Sequence, residues 1–354
     1  MKARKIVGIC IGVAAVLGVL TWAFWSPAPK NAEQQLVVAS WGGAYQTAQR
    51  KAFFEPFEKE FKVHIVEAGT PDYGKIYEWQ RSGAASIDVV DVETFFVFQA
   101  GKKGALTRLD RDLLPTASLM KSAVDDFGVA SCAYAEVIAW NKKRNPGLSD
   151  LKWSDFWDTE RIPGPRAFRD LPATTLEAAL LADGVSPDHL YPLDVDRAFK
   201  KLDALRAKTK IVLWTAGSEP IEFLKDRTAV LSTAWNGRIR DAQNEGMPLE
   251  MSFNQATLDW LWWVIPKEAK NKELAMKFIA FTLRPDRQRA LVENIPYGPT
   301  NEDAWTGLPE DKLRQVPNSP ANMKRVIIRD NKWWAEHETE LVDRWRQWKL
   351  GLGK

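Results

Sequence analysis

Residues 36–66 read LVVASWGGAYQTAQRKAFFEPFEKEFKVHIV, and this stretch decides the fold of the chain. Its first five residues form a short apolar run, which predicts a buried β-strand. Residues 44–61 then space their apolar side chains as on one face of a helix, and residues 63–66 form a second apolar run. A strand, a helix and a second strand in immediate succession predict the repeating unit of an α/β protein.

The same alternation continues along the chain. Further strands and helices are predicted at residues 87–92, 194–207, 211–214, 229–232, 261–265, 273–282 and 333–350. Strands separated by helices favour a parallel sheet, in which ligands bind beyond the carboxyl ends of the strands. By this rule, we expect residues 41–43, 91–93 and 235–237 to lie in one cleft. The proline-rich residues 163–172 are predicted to form a loop.

Composition narrows the class of protein. The 354 residues are enough for two lobes, each with its own core. The net charge of +3 is contributed by residues 1–35, so the remainder is neutral, which excludes nucleic-acid binding driven by charge. The 17 tryptophans are expected mainly in the core, and otherwise as aromatic walls of a binding site. Beyond Cys10, Cys132 is the only cysteine and has no partner for an internal disulfide.

The N-terminus has the pattern of an export signal. Three basic residues precede an apolar run at residues 6–25, and prolines follow. Residues 26–28 offer small side chains for a signal peptidase, but Pro29 would hinder cleavage. The run is also long enough to span a bilayer. A cleaved signal peptide and an uncleaved membrane anchor therefore both stay open, and either one predicts a periplasmic body.

Motifs of the common enzyme classes are missing from the sequence. It contains no G-x-G-x-x-G, P-loop, G-x-S-x-G or C-x-x-C pattern. The three histidines, His64, His189 and His337, lack the spacing of a zinc site. The sequence therefore predicts no catalytic residue, no metal and no cofactor. An enzyme that uses carboxylates alone stays as an alternative.

Five segments behind the export signal occur in a familiar order: VVASWGGAY (37–45), IDVV (87–90), AWNGR (234–238), WVIPK (263–267) and YGPTN (297–301). Over residues 36–305 they resemble the spermidine/putrescine-binding family of periplasmic solute-binding proteins. The resemblance implies the type II periplasmic-binding-protein fold, with two α/β lobes joined by a two-segment hinge. The predicted parts are a leader (1–35), lobe one (36–138 and 262–303), lobe two (139–261 and 304–354), and crossings near 137–141 and 259–263.

The resemblance also implies the walls of a ligand cleft. Trp41, Trp235 and Tyr297 match cleft aromatics of the family, and such faces suit methylene chains and ammonium groups. Gly42 and Gly43 would let the backbone approach the ligand. Further candidates in the cleft segments are Tyr45, Glu93 and Tyr134.

One departure from the family pattern points to a different ligand. Polyamine binders carry an aspartate where this chain has Leu261, and the nearest carboxylate is Asp259. Arginines suited to a carboxylate are present instead. The sequence therefore favours a zwitterion such as an ω-amino acid, and a polyamine-like ligand stays open if Asp259 substitutes for the missing aspartate. The amine of a zwitterion would meet aromatic faces and Asp91, Glu219 or Asp259, and its carboxylate would meet Arg166, Arg238 or backbone N–H groups.

The resemblance implies a partner, an ABC permease in the inner membrane that takes over the small-molecule ligand, and a monomeric receptor. A ligand sensor of the same fold, tethered to the membrane by an uncleaved leader, is the second hypothesis. The carboxylate-dependent enzyme is the third. Ligand binding without turnover would separate the first two hypotheses from the third.

Overall fold

The computed structural model describes residues 34–352. Within this range nine strands form one sheet in the order β2-β1-β3-β8-β4-β7-β5-β6, with β9 paired to β8. The strands are β1 (Gln34–Ala39), β2 (Val63–Ala68), β3 (Val89–Glu93), β4 (Gly128–Asn141), β5 (Arg166–Arg169), β6 (Ile211–Trp214), β7 (Leu231–Trp235), β8 (Leu249–Val264) and β9 (Ile327–Ile328).

Helices cover both faces of the sheet's two halves. The α-helices are α1 (Gly43–Gln49), α2 (Glu55–Phe61), α3 (Tyr73–Ser82), α4 (Thr94–Lys102), α5 (Trp153–Trp157), α6 (Thr175–Ala182), α7 (Val195–Arg206), α8 (Glu219–Asp226), α9 (Asn236–Asn244), α10 (Lys272–Thr282), α11 (Pro285–Asn294), α12 (Glu310–Leu313) and α13 (Asn331–Lys349). A π-helical turn, Arg50–Phe54, joins α1 to α2. Short 3₁₀ helices lie at Arg111–Leu113, Thr116–Ser118, Lys121–Ala123, Pro187–His189, Glu302–Trp305 and Asn322–Lys324.

The strand–helix–strand unit predicted for residues 36–66 is confirmed, but the sheet is mixed rather than parallel. β1 pairs with β3 in parallel, as β5 does with β6 and β7. At the centre, β4 and β8 are long and antiparallel to each other. They carry the chain between the two halves in opposite directions, which requires antiparallel pairing. Only the end of β8 was predicted, where the apolar residues are continuous.

Two large cores lie on either side of these long strands. One packs β1, α1 and α2 against α10 and α11, with Phe53 and Phe278 at its centre. The other packs β5 against α6, α7 and α13, and it buries the tryptophans of the last helix. On β4, Cys132 and Tyr134 contribute to the first core, and Ile138 and Trp140 contribute to the second. The exact lobe boundaries stay a prediction. Val316, which the prediction assigns to lobe two, belongs to the same buried cluster as Val292 of α11 in predicted lobe one.

The predicted export signal or anchor lies outside the described residues. Between residues 34 and 352, no helix combines the length and the apolar character needed to cross a membrane.

Candidate functional site

The ends of several strands line a small cavity, partly open to solvent, between the two halves of the sheet. We call it the aromatic cavity and define it by its nine lining residues: Trp41, Tyr45, Glu93, Tyr134, Arg169, Trp235, Arg238, Leu261 and Tyr297. Glu93, Arg169 and Trp235 are the last residues of β3, β5 and β7. The cavity therefore lies where the strand-end rule for α/β sheets predicts a ligand site.

Tyrosine rings form one wall of the aromatic cavity. The Tyr45 and Tyr297 ring centroids are 5.1 Å apart, and those of Tyr134 and Tyr297 are 6.2 Å apart. All three rings are buried, so packing fixes their orientation. Trp41 and Trp235, which are half-buried, carry indole N–H groups that have no hydrogen-bond partner among the described residues.

Buried amide side chains fix the turns that carry these walls. Asn236, which follows Trp235, accepts from the Ala135 N–H at 3.0 Å and donates to the Pro296 carbonyl at 2.8 Å. It thereby ties the end of β7 to β4 and to the segment before Tyr297. Gln288 of α11 does the same for the end of the YGPTN segment, because its Oε1 accepts from the Thr300 N–H at 2.7 Å. These bonds explain why amides accompany the aromatic residues in the sequence motifs.

An ion pair crosses the cavity between the two halves of the sheet. Arg169 Nη1 donates to Glu93 Oε1 at 2.8 Å, and the Tyr134 hydroxyl donates to the same oxygen at 3.1 Å. Burial alone would raise the pKa of Glu93, but the charge and hydrogen bonds of Arg169 outweigh it, so the net pKa is lowered. Glu93 is therefore a carboxylate at neutral pH, and its Oε2, 3.5 Å from Arg169 Nη2, is the less tightly held oxygen.

Arg238, in the first turn of α9, reaches across to the glycine pair after β1. Its Nη2 donates to the Gly42 carbonyl at 2.8 Å and lies 3.4 Å from that of Trp41. Gly43 has a φ of +56°, and a side chain there would collide with the Arg238 guanidinium. Glycine is therefore required for the arginine to approach. Arg238 Nε is buried and without a partner in the described range.

These polar groups give the cavity a definite charge pattern. Two arginines and one glutamate line it, and the glutamate is already paired with one of the arginines. Three N–H donors, on Trp41, Trp235 and Arg238, have no partner among residues 34–352. Buried donors are normally satisfied, so unfilled donors around a cavity suit an anionic group of a ligand. Glu93 is the acidic side chain in the lining and suits a cation.

Seven of the residues predicted from the sequence line this one cavity: Trp41, Tyr45, Glu93, Tyr134, Trp235, Arg238 and Tyr297. Gly42 and Gly43 lie against Arg238 and not directly in the lining. Arg169 was missed, because it ends a four-residue strand in the segment predicted as a proline-rich loop. Had this strand been recognised, the strand-end rule would have identified Arg169.

The structure places two predicted charged residues away from the cavity. Arg166 is fully buried at the start of β5, where its guanidinium donates to backbone carbonyls, including that of Phe156 at 2.6 Å. Burial lowers its pKa to about 10. Glu219 starts α8 and accepts from the Ala216 and Thr215 N–H groups at 2.7 and 2.6 Å, which lower its pKa. Both side chains use their polar atoms on nearby backbone, a pairing that charge alone does not reveal.

Asp259 is also absent from the cavity lining. Its Oδ1 accepts from Thr94 at 2.6 Å and from Asn331 at 2.8 Å, and its Oδ2 accepts from Arg329 Nη1 at 2.8 Å. Arg329 also donates to the Thr174 hydroxyl. We call Asp259, Arg329, Asn331, Thr94 and Thr174 the buried ionic network. Because Arg329 comes from the C-terminal segment, sequence proximity to Leu261 could not predict this pairing.

Asp91 lies behind the cavity wall. It is fully buried, and its Oδ2 accepts from the Tyr45 hydroxyl at 2.8 Å, so it contacts the cavity only through Tyr45. Burial raises its pKa to about 7.

A further buried carboxylate, Glu136 on β4, has no counterpart in the sequence predictions. It is fully buried, and neither of its oxygens is in hydrogen-bonding geometry with another described residue. Burial raises its pKa, although the charge of Arg169 and the nearby Thr233 and Thr174 hydroxyls partly offset the effect.

Metal ligation finds no support in the described part of the chain. Across residues 34–352, no group of three or more histidine, cysteine, aspartate or glutamate side chains is placed to hold an ion.

Comparison with known proteins identifies relatives along most of the chain. Residues 51–320 match the family model described as bacterial extracellular solute-binding protein. The chain is similar to the gamma-aminobutyric acid-binding protein of Pseudomonas aeruginosa, with 35% identity over 92% of this chain and 93% of the relative. It is 26% identical to the spermidine/putrescine-binding periplasmic protein of Escherichia coli, over 70% of this chain and 73% of that protein.

A solved structure extends the likeness to three dimensions. A structure described as a GABA receptor superimposes with a TM-score of 0.81 and is 35% identical, covering 89% of this chain and 97% of that one. Together these matches confirm the type II periplasmic-binding-protein fold that the sequence motifs imply.

Proposed function

This chain belongs to the family of bacterial extracellular solute-binding proteins, and from that premise we propose that it is the receptor of an ABC importer for a short ω-amino acid of the 4-aminobutanoate class. It captures this ligand in the aromatic cavity and releases it chemically unchanged. It acts as a monomer in the periplasm, free or held by its N-terminal segment, and delivers the ligand to an inner-membrane permease.

The observation that carries this proposal is the charge pattern of the aromatic cavity. Its lining has one positive charge more than negative charges, because it contains two arginines, Arg169 and Arg238, and one glutamate, Glu93. A diamine would bring two further positive charges into this buried space, where repulsion is weakly screened. A zwitterion brings none in net, its carboxylate fills the unpaired donors, and its ammonium group pairs with Glu93.

The positions of the charged groups suggest how each end of the ligand is held. The unpaired Nε of Arg238 and the indole N–H groups of Trp41 and Trp235 receive the carboxylate. The ammonium group lies toward Glu93 and the tyrosine faces, since aromatic rings attract cations. The methylene chain packs between these ends, against Leu261. The replacement of the family's aspartate by Leu261 removes an amine partner that a diamine would need.

The relatives support the same ligand class. The 35% identical curated relative and the 35% identical solved structure both carry GABA in their descriptions. The relative described as binding spermidine and putrescine is more distant, at 26% identity.

Ligand capture by lobe closure follows from the contacts that cross the cavity. Glu93 and Arg169 come from opposite halves of the sheet, as do Gly42 and Arg238. A ligand that touches both halves stabilises the conformation in which all its contacts are made. The permease then distinguishes the closed receptor from the open one.

Isothermal titration calorimetry with three ligands of equal chain length tests the proposal. We expect 4-aminobutanoate to bind, and butanoate and 1,4-diaminobutane each to bind about 10- to 150-fold more weakly, because each lacks one charged hydrogen-bonding group worth about 1.5–3 kcal/mol. Chromatography of the recovered ligand should show no product. Tighter binding of 1,4-diaminobutane would overturn the ligand class, and conversion of the ligand would restore the enzyme hypothesis.

A further inference from the structure

A second layer of polar groups lies directly behind the tyrosine wall of the aromatic cavity. Tyr45 faces the cavity with its ring, and its hydroxyl points into the protein toward Asp91 at the centre of β3. Asp91 Oδ2 also accepts from Gln49 Nε2 at 2.9 Å and lies 3.4 Å from the Ser40 hydroxyl. Ser40 in turn donates to Gln49 at 2.5 Å. Hydrogen bonds to one carboxylate oxygen therefore link β1, α1 and β3 directly behind the cavity wall.

This carboxylate lacks the partner that a buried charge normally has. Its hydrogen-bond partners are neutral, it makes no ion pair among the described residues, and its Oδ1 has no partner there. A buried charge without a counterion is costly, and an asparagine could accept the same bonds at lower cost. An ionised acceptor, however, makes hydrogen bonds about twice as strong as a neutral one. An aspartate at position 91 therefore makes a stronger hydrogen bond to Tyr45 than an asparagine would.

We propose that Asp91 is a positioning residue of the ligand site: its carboxylate anchors the Tyr45 hydroxyl, fixes the ring that forms the cavity wall, and raises ligand affinity without touching the ligand. The proposal rests on the proposed function, since it concerns the same cavity. It differs from the sequence-based prediction, in which Asp91 pairs with the ligand's amine.

The proposal implies that ligand affinity depends on pH near neutrality. Asp91 has its pKa raised by burial to about 7, so lowering the pH from 8 to 6 protonates it and weakens the anchor. The other titratable groups that face it are the Tyr45, Tyr73 and Tyr297 hydroxyls and the Cys132 thiol, and burial moves the pKa of each further above neutrality. The carboxylate and ammonium groups of 4-aminobutanoate do not titrate between pH 6 and 8.

Binding of 4-aminobutanoate to the wild type, D91N, Y45F and the double variant tests the coupling. We expect D91N to bind about 3- to 10-fold more weakly at pH 8, as the bond reverts to neutral strength. In the Y45F background D91N should change affinity no further, because the bond is already absent. Wild-type affinity should fall between pH 8 and 6, D91N should be flat, and E136Q should keep the wild-type profile. Additive effects of D91N and Y45F, or a persistent pH dependence in D91N, would overturn the proposal.

A ligand-free measurement separates failure of this proposal from failure of the proposed function. In protein labelled with ¹³C at tyrosine Cζ, the Tyr45 resonance is identified by its loss in Y45F. We expect its chemical shift to titrate near neutral pH in the wild type and to stay constant in D91N. A constant shift in the wild type would overturn the anchor whatever the ligand. A titrating shift in a protein that fails to bind 4-aminobutanoate would leave the anchor standing and refute the function.

Discussion

Two buried arginine–carboxylate pairs lie close together at the centre of the molecule, and their surroundings differ. In the aromatic cavity Arg169 donates to Glu93 at 2.8 Å, and in the buried ionic network Arg329 donates to Asp259 at the same distance. Both pairs join segments far apart in sequence. Both carboxylates have their two oxygens occupied by hydrogen bonds. The first pair lines the aromatic cavity, beside unpaired N–H donors of Trp41, Trp235 and Arg238, whereas the second pair is outside that lining.

The difference between these pairs indicates which charges serve ligand binding and which serve stability. A buried charged pair outside the cavity lining does not contact a ligand there, and the loss of one partner leaves the other uncompensated. A charge beside open donors and empty space can exchange a solvent contact for a ligand contact. Four substitutions test whether a given charged residue serves ligand binding or stability.

Replacement of Asp259 by alanine should have the largest effect, and that effect should fall on stability. Removing one partner of a buried ion pair costs about 3–5 kcal/mol, because the Arg329 guanidinium stays buried without its counterion. Chemical denaturation of D259A should show this loss of unfolding free energy. Its folded fraction should still bind ligand, since Asp259 is not among the residues that line the cavity. The matched control is D343A, which breaks an exposed pair with Arg346 and should leave stability nearly unchanged. Normal stability of D259A would contradict the assignment.

Replacement of Arg238 by glutamine should affect binding instead. Loss of a charge-assisted hydrogen bond to the ligand carboxylate should weaken binding of 4-aminobutanoate by about 1.5–3 kcal/mol. Calorimetry at constant pH measures this change. Arg240, two residues further along α9, is outside the lining and provides the control R240Q, with unchanged affinity. Equal affinity of R238Q and the wild type would remove Arg238 from the site.

Replacement of Glu136 by glutamine should stabilise the protein in a pH-dependent way. Because the folded state raises the pKa of Glu136, the folded protein holds this proton more tightly than the unfolded chain does. Wild-type stability therefore falls as pH rises above the unfolded pKa, and E136Q escapes that loss. We expect E136Q to be about 1–3 kcal/mol more stable than the wild type at pH 8, with the difference shrinking toward pH 4. Denaturation at several pH values measures it, and a difference that grows on acidification would refute the interpretation.

Replacement of Glu219 by alanine should have the smallest effect. The side chain accepts from the backbone N–H groups of Thr215 and Ala216 in the turn before α8, and a hydrogen bond of this kind contributes about 0.5–1.5 kcal/mol. A modest fall in melting temperature with unchanged ligand affinity is expected. A marked loss of affinity in E219A would return Glu219 to the list of ligand contacts.

The sequence predicts strands and helices well where residues close together in the chain determine them. Hydrophobic periodicity in residues 36–66 identifies β1, the helix that follows and β2, because their burial repeats every two or 3.6 residues. Family motifs identify the aromatic walls, because Trp41, Trp235 and Tyr297 keep fixed positions next to recognisable strands. The prediction of β8 covers only its end, where the apolar residues are continuous. Its first half alternates polar and apolar residues, a pattern that also indicates a strand but was overlooked.

The charged residues were harder to place, for a physical reason. Whether a carboxylate or a guanidinium is available to a ligand depends on which other groups reach it, and those groups come from distant segments. Asp259 is occupied by Arg329 and Arg166 by the carbonyls before β5. Arg169, missed in the sequence, pairs across the cleft with Glu93. The type of a residue alone does not reveal which distant group it pairs with.

A crystal structure of the protein with 4-aminobutanoate would show directly which charged residues bind the ligand. We expect the ligand carboxylate within about 3 Å of Arg238 Nε and of an indole N–H from Trp41 or Trp235. We expect the ammonium group beside Glu93 and the Asp259–Arg329 pair at its present 2.8 Å separation. A ligand in the reverse orientation, or an ammonium group bound to Asp259, would contradict the division between binding charges and structural charges.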